Sequence, residues 1–282
     1  MLLENMNLPA FLLIISWTIA PNSSAAVLPI PNQNLNVKRD IWQPDVKRGW
    51  QIELEHPLGP ADMLVDVPVY DIDIFDNAAS TITTLHGFGR QVICYFSAGT
   101  LENWRPDASS FTASDKGNPM GGWPNEWWLN TKSTNVRNIM AARLDLAVSK
   151  GCNGVDPDNI DGYQEDTGFG LTMDDAVDYV TFLANAAHGR GLSIGLKNGA
   201  EIVPNVLSLM QWEVNEQCEN YAQCGAFQPF ISAGKPVFHI EYPSSAPNVD
   251  QATKAKICGN QAAAGFSTIL KTTNLNDWVM AC

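Results

Sequence analysis

The chain has 282 residues, 45% hydrophobic and 17% charged, enough apolar material for one large core. Seventeen basic against 30 acidic residues leave a formal charge of −13. That is the wrong sign for a surface that neutralises phosphates and argues against nucleic-acid binding. An acidic field instead keeps a protein soluble and attracts cationic ligands.

Residues 1–26 read as a signal peptide: an apolar run from Leu8 to Ala20 is followed by small residues at Ser23 to Ala26. The stretch before the run carries Glu4 and no basic residue, which departs from the usual pattern. The run is too short to span a bilayer comfortably, so no membrane anchoring is expected. Removing residues 1–26 deletes one charge, Glu4, and leaves the mature chain at −12. Residues 27–40, rich in Pro and Asn, form an expected flexible leader, and residues 41–282 a single domain. Six cysteines in a secreted chain suggest disulfides. Cys218 and Cys224 are placed to close a small loop, and Cys258 and Cys282 to tie down the C-terminal tail. Cys94 and Cys152 either pair or stay buried as thiols. No CxxC or histidine cluster appears, so no metal site is expected. His86 and His188 sit at helix ends, where capping explains them.

In chain order, WQIEL (50–54) is the first strand and VYDIDIF (69–75) the second, followed by a helical AASTITTLHGFG. QVICYFSAG (91–99) is the third strand. A long loop leads to a helix over 136–151, and GVDPDNI is the fourth strand with its exit. Thr172 is placed to cap the helix DDAVDYVTFLANAAHGRG. SIGLKNG (193–199), WEVNEQ (212–217), PVFHIEY (236–242) and STILKT (267–272) complete the set, the last two separated by a helical VDQATKAKICGNQAAAG. Eight strand-like runs with helices between them predict an α/β fold, a single (β/α)₈ TIM barrel.

In such a barrel the chemistry sits where strands end. GCNGVDPDNIDGYQEDTG, at the end of the fourth strand, is crowded with acids. A twelve-residue calcium loop fails there, because aligning Gly162 to its glycine puts Pro157 at the first ligand position. The family 18 chitinase pattern fails too, since Ile160 stands where its catalytic acid belongs. Glycosidic hydrolysis needs two carboxyl groups, one protonating the leaving oxygen and one attacking or stabilising the anomeric carbon. Asp158 on strand four and Glu216 on strand six are the leading catalytic pair. Partial burial would raise the Glu216 pKa for a general acid; Asp158 would need donors such as Lys197 or Asn198 to stay ionised. Trp104, Trp123, Trp127 and Trp128 gather in one long loop, where they either stack on sugar rings or pack the loop onto the barrel. Arg105 and Asp107 are read as fixing that loop.

YDIDIFD, QVICYFSAGTLENWRPD, WPNEWWLN, VDPDNIDGYQEDTGFGLT, SIGLKN, VNEQCENYAQC and VFHIEY together resemble glycoside hydrolase family 114, the endo-α-1,4-polygalactosaminidases of fungi and bacteria. The resemblance runs from about Trp50 to Tyr242. It implies a barrel, a secreted extracellular enzyme, internal cleavage of α-1,4-linked galactosamine polymers, and an Asp/Glu pair that falls on Asp158 and Glu216. On this reading Asp73, Asp156, Asp161 and Glu241 bind amino or hydroxyl groups of the substrate. Tyr95, Lys197, Asn198 and Tyr242 shape the site. Asp156 stands where bacterial relatives carry an apolar residue, and here it is expected to line a subsite for an amino group. Deacetylated galactosamine is cationic, which gives the net negative charge a second use. No cofactor is needed, and the enzyme is expected to work as a monomer. A non-hydrolytic barrel that binds polysaccharide as a lectin is the alternative.

Overall fold

The structure, a computed structural model, describes residues 41–282. The expected signal peptide and leader lie outside the described residues. Twelve strands follow in chain order. The three before the long loop are β1 (Trp50–Glu53), β2 (Val69–Asp73) and β3 (Gln91–Ser97). The loop itself holds β4 (Thr100–Glu102), β5 (Lys116–Pro119) and β6 (Glu126–Leu129). Next come β7 (Gly154–Asp158), β8 (Ser193–Lys197), β9 (Trp212–Glu216) and β10 (Val237–Glu241). The chain ends with β11 (Ser267–Leu270) and β12 (Met280–Ala281). The helices are α1 (Ala79–Gly87), α2 (Thr134–Lys150), α3 (Met173–His188), α4 (Val203–Val206), α5 (Gln228–Ser232) and α6 (Gln251–Cys258).

Strands β1, β2, β3, β7, β8, β9, β10 and β11 pair in that order, every ladder parallel, and β12 adds antiparallel to β11. These are the eight strands expected, curled into a (β/α)₈ barrel. The helices are less even than the pattern suggests: α4 and α5 span four and five residues, and a single 3₁₀ turn, Asp62–Leu64, joins β1 to β2. The sequence missed the small sheet β4–β6–β5, because its strands interrupt a loop rich in Gly, Pro and Asn.

Local chemistry sets the long helices. Ser133 caps α2, and Gly151, in the left-handed region at φ 91°, ends it. Thr172 caps α3 as expected, in a capping box completed by Asp175.

Strand alternation divides the core in two. Outward residues such as Tyr70, Ile72, Phe96 and Leu196 pack under the helices. Inward residues fill the barrel floor, where Trp50, Trp212 and Phe238 meet with Ile52, Val214 and Ile269. Trp212 fits only because its neighbours lack side chains: a Cβ on Gly195 would lie 2.1 Å from its Nε1, and one on Gly154 2.4 Å from its ring. With the floor plugged by apolar groups, the polar residues at the strand ends are left to form the mouth.

The seam between β1 and β11 is bridged by the C-terminal segment. Gln51 donates to the Asp277 carbonyl and the Leu54 amide to that of Leu275, while Trp50 reaches β11 directly, donating to the Ser267 carbonyl. All six cysteines are paired, as Cys94–Cys152, Cys218–Cys224 and Cys258–Cys282. The last ties α6 to the segment that covers the seam.

Candidate active site

A cleft of about 660 Å³ opens at the C-terminal ends of the barrel strands. At its base stands Lys197, the last residue of β8. Its Nζ lies 2.9 Å from Asp158 Oδ1 and 2.9 Å from Glu216 Oε2. The two carboxylate oxygens share one nitrogen, so they are no further apart than twice that distance. Asp158 also accepts from Tyr95 Oη to Oδ2 at 2.8 Å and from the Asn159 amide at 2.7 Å. Burial pushes the Asp158 pKa up, but the Lys197 charge and these donors outweigh it and hold the carboxyl below its usual range. Burial lowers the Lys197 pKa, yet the charges of Asp158, Glu216 and Asp156 hold it well above the ordinary lysine value. Glu216 accepts from Tyr242 Oη, and its backbone amide donates to Asn198 Oδ1 at 2.9 Å. Its side chain is 27% exposed to the cleft, against 16% for Asp158.

Each of these three strands ends the same way. The residue after Asp158, Lys197 and Glu216 is Asn159, Asn198 and Gln217, at φ 60°, 53° and 59°. A left-handed turn stops the strand there and swings the loop clear of the cleft. Asn tolerates this region better than most residues, and such conformations gather at functional sites. Gly99 serves the same rim, because a Cβ on it would lie 1.6 Å from the Asn159 carbonyl oxygen.

Eight acidic residues line the cleft against two cations, Lys197 and Arg105, so its field is negative. Two carboxyls are pushed towards neutrality, Asp161 to about 6 and Glu126 to about 7, in both cases chiefly by burial. Trp104 and Trp123 are more than half exposed on the cleft wall.

A family model described as glycoside-hydrolase family GH114 matches residues 31–282. The chain belongs to glycoside-hydrolase family GH114. Ega3 of Aspergillus fumigatus, whose crystal structure is in complex with galactosamine, is 52% identical, with a TM-score of 0.82 over 86% of this chain and 97% of that one. The glycoside hydrolase domain of PelA from Pseudomonas aeruginosa is 14% identical, with a TM-score of 0.66 over 83% and 97%, and shares the fold. No curated protein matches the chain.

As a GH114 glycoside hydrolase, the chain brings together five of its predicted site residues, Asp158, Glu216, Tyr95, Lys197 and Tyr242, in one hydrogen-bonded group. Asn198 differs from its expected role, orienting Glu216 through the backbone rather than donating to Asp158. Asp161 lines the cleft. Asp73 reaches the wall already engaged, with Arg105 Nη2 at 2.5 Å and the Phe75 and Asp76 amides on its Oδ1. Asp156 is a correction: its side chain is completely buried, beneath Lys197 rather than on the cleft surface, so it cannot meet a sugar amino group. Glu241 is also withdrawn, accepting from His239 Nε2 at 2.9 Å and the Glu219 amide at 2.8 Å.

The GH114 barrel also uses groups that sequence reasoning missed. Glu126 on β6 accepts from Thr100 and lines the cleft, as does Glu102, which pairs with Arg105. Their strands lie in the unpredicted small sheet, so their direction was hidden. The tryptophans divide: Trp104 and Trp123 face the cleft, whereas Trp128 is buried and Trp127 packs against Lys116, whose Nζ lies 3.3 Å from its ring centre. Arg105 and Asp107 fix the loop as expected, the latter binding Arg143 Nε at 2.8 Å.

Proposed function

We propose that this chain is a secreted, endo-acting hydrolase of α-1,4-galactosaminidic bonds in a cationic polysaccharide, with Asp158 as nucleophile and Glu216 as acid and base. The observation that carries the pairing is Lys197 Nζ, equidistant from both carboxylates. Carboxyl groups about 5–5.5 Å apart suit a retaining mechanism, whereas inverting pairs sit about 6.5–9.5 Å apart to admit water. The limit set by the shared nitrogen favours retention.

Asp158 is held ionised by Lys197, Tyr95 and the Asn159 amide, as a nucleophile must be. It attacks the anomeric carbon while Glu216, the more exposed of the two, protonates the departing glycosidic oxygen. Glu216 then removes a proton from water, which attacks the same carbon and releases Asp158 with the original configuration. Tyr95 and Tyr242 set the direction of the two carboxylates. No step requires a cofactor.

The galactosamine substrate is supported by the likeness to Ega3 and by the excess of carboxylates over cations in the cleft. A polycation is drawn to such a mouth, and Trp104 and Trp123 offer ring faces along it. Six cysteines in three disulfides suit the oxidising exterior, in keeping with a signal peptide over residues 1–26 and a mature domain beginning near residue 41. No helix among the described residues is long and apolar enough to cross a membrane. We read the enzyme as a monomer that binds neither membrane nor nucleic acid.

Reducing-end release from partially deacetylated polygalactosamine tests the reading. The wild type is expected to release ends and Glu216→Gln to lose about 10²–10⁴-fold in rate, with Asp158→Asn falling further. A wild type that binds polymer and releases nothing would instead be a lectin. Variants that keep full rate would overturn the assigned pair.

A further inference from the structure

Outside the catalytic group, three side chains from the end of β1 to the Asp62–Leu64 turn are arranged in a way the hydrolysis does not use. Glu53, the last residue of β1, is completely buried, and neither of its carboxylate oxygens has a hydrogen-bond partner among the described residues. Its carboxylate converges with a ring nitrogen of His56 and a carboxylate oxygen of Asp62, the three donor atoms all within 4.8 Å of one another. Lys271 does not hydrogen-bond Glu53, because its Nζ donates to Gln51 Oε1 at 3.0 Å and to the Asn276 carbonyl. Two carboxylates facing each other this closely repel unless a cation or a proton stands between them. Asp62 is held in place from behind, its Oδ2 accepting from the Gly59 amide at 2.6 Å.

We propose that Glu53, His56 and Asp62 form a site for one divalent transition-metal ion, zinc by the nature of the donors. His56 Nδ1 lies 3.3 Å from Glu53 Oε1, an ion pair without a hydrogen bond, and 3.3 Å from the Pro57 carbonyl, a contact that a metal on this nitrogen would replace. Two ligands about 2.0–2.1 Å from a tetrahedral zinc stand about 3.3 Å apart, so the spacing suits groups sharing a metal. One imidazole and two carboxylates suit a borderline ion, whereas calcium and magnesium favour oxygen donors alone. His56 is exposed, which leaves room for water to complete the coordination.

The site has a structural use. It would join β1 to the Asp62–Leu64 turn, clamping the loop that starts at Leu54 and Glu55, both of which line the cleft. The three residues follow a Glu-x-x-His spacing with the Asp six positions on. This revises the expectation of no metal, which rested on the absence of cysteine pairs and clustered histidines.

The test uses the full disulfide-bonded chain without a histidine tag, stripped with a chelator and titrated with zinc chloride by calorimetry. One zinc per chain is expected, with a rise in the thermal midpoint as zinc is added. His56→Ala, at an exposed position that leaves the fold intact, and Glu53→Gln are expected to lose both the bound equivalent and the rise. A wild type that takes up no zinc would overturn the site. So would a folded His56→Ala protein that binds zinc as tightly and in the same ratio, which would place the metal elsewhere.

Discussion

At the scale of the residue, the account rests on Lys197. A buried ammonium at 2.9 Å from two carboxylates holds them close, and its charge keeps Asp158 ionised. Replacing it with an apolar side chain of similar length removes the largest influence that opposes burial at Asp158. Lys197→Met is therefore expected to raise the Asp158 pKa. The acidic limb of the kcat/KM profile would move to higher pH, with kcat/KM also reduced. A limb that stays in place would show that Asp158 does not set it. The position of Asp158 and Glu216 at the cleft was legible because an acid at a strand end is a recognisable feature. The turn that follows each was written in the sequence as DN, KN and EQ, but its meaning needed the backbone angles. Asp156 misled for the opposite reason: spacing places it on the same face of β7 as Asp158, but one step down the strand is enough to bury it.

Elements decide how that rim is held. The eight barrel strands were readable as apolar runs bounded by turn residues, and α3 as an amphipathic stretch with a capping box. Missing from that reading were β4, β5 and β6, whose short strands carry Gly117, Pro119 and two loops of polar residues. Long-range pairing rather than local preference makes them strands, and with them came Glu102 and Glu126. The barrel floor gives a prediction at this scale. Gly195→Ala drives a Cβ into the Trp212 ring and is expected to cost about 1–3 kcal/mol or more, read from chemical denaturation. A neutral result would mean that β8 and Trp212 do not pack as described. Breaking Cys258–Cys282, which closes 24 residues, is expected to cost about 3 kcal/mol. Because it anchors the segment over the β1–β11 seam, proteolysis of that variant should begin at the C-terminus.

For the whole molecule, buried acids couple stability to pH. Burial raises the pKa of Asp156 to about 7, Glu126 to about 7 and Asp161 to about 6. Between about pH 4 and 7 the folded chain therefore holds protons that the unfolded chain has released, and stability falls as pH rises through this window. Asp115 acts in the other direction. Its burial is outweighed by donors from Ser133, Thr112 and Asn135, which lower its pKa to about 2. The stability it adds is lost as pH falls from about 4 to 2. Thermal midpoints should accordingly be highest near pH 4 and fall towards pH 8. A midpoint that climbs steadily from pH 4 to 8 would show that these acids are ionised in the folded state. Net charge and fold class were legible in the sequence at this scale. The concentration of acids at one mouth was not, because Glu55, Asp76 and Glu126 come from three separate loops that only the closed barrel brings together.

The central claim joins a substrate, a bond and a stereochemical course, and one measurement reaches all three. Proton NMR of a partially deacetylated α-1,4-galactosamine polymer, recorded as the wild-type enzyme cuts it, shows the anomer formed before mutarotation. Asp158 and Glu216 drawn together by Lys197 predict α-configured reducing ends first, with internal cleavage giving oligomers. Ends that appear first as β, or no new ends at all, would contradict the account.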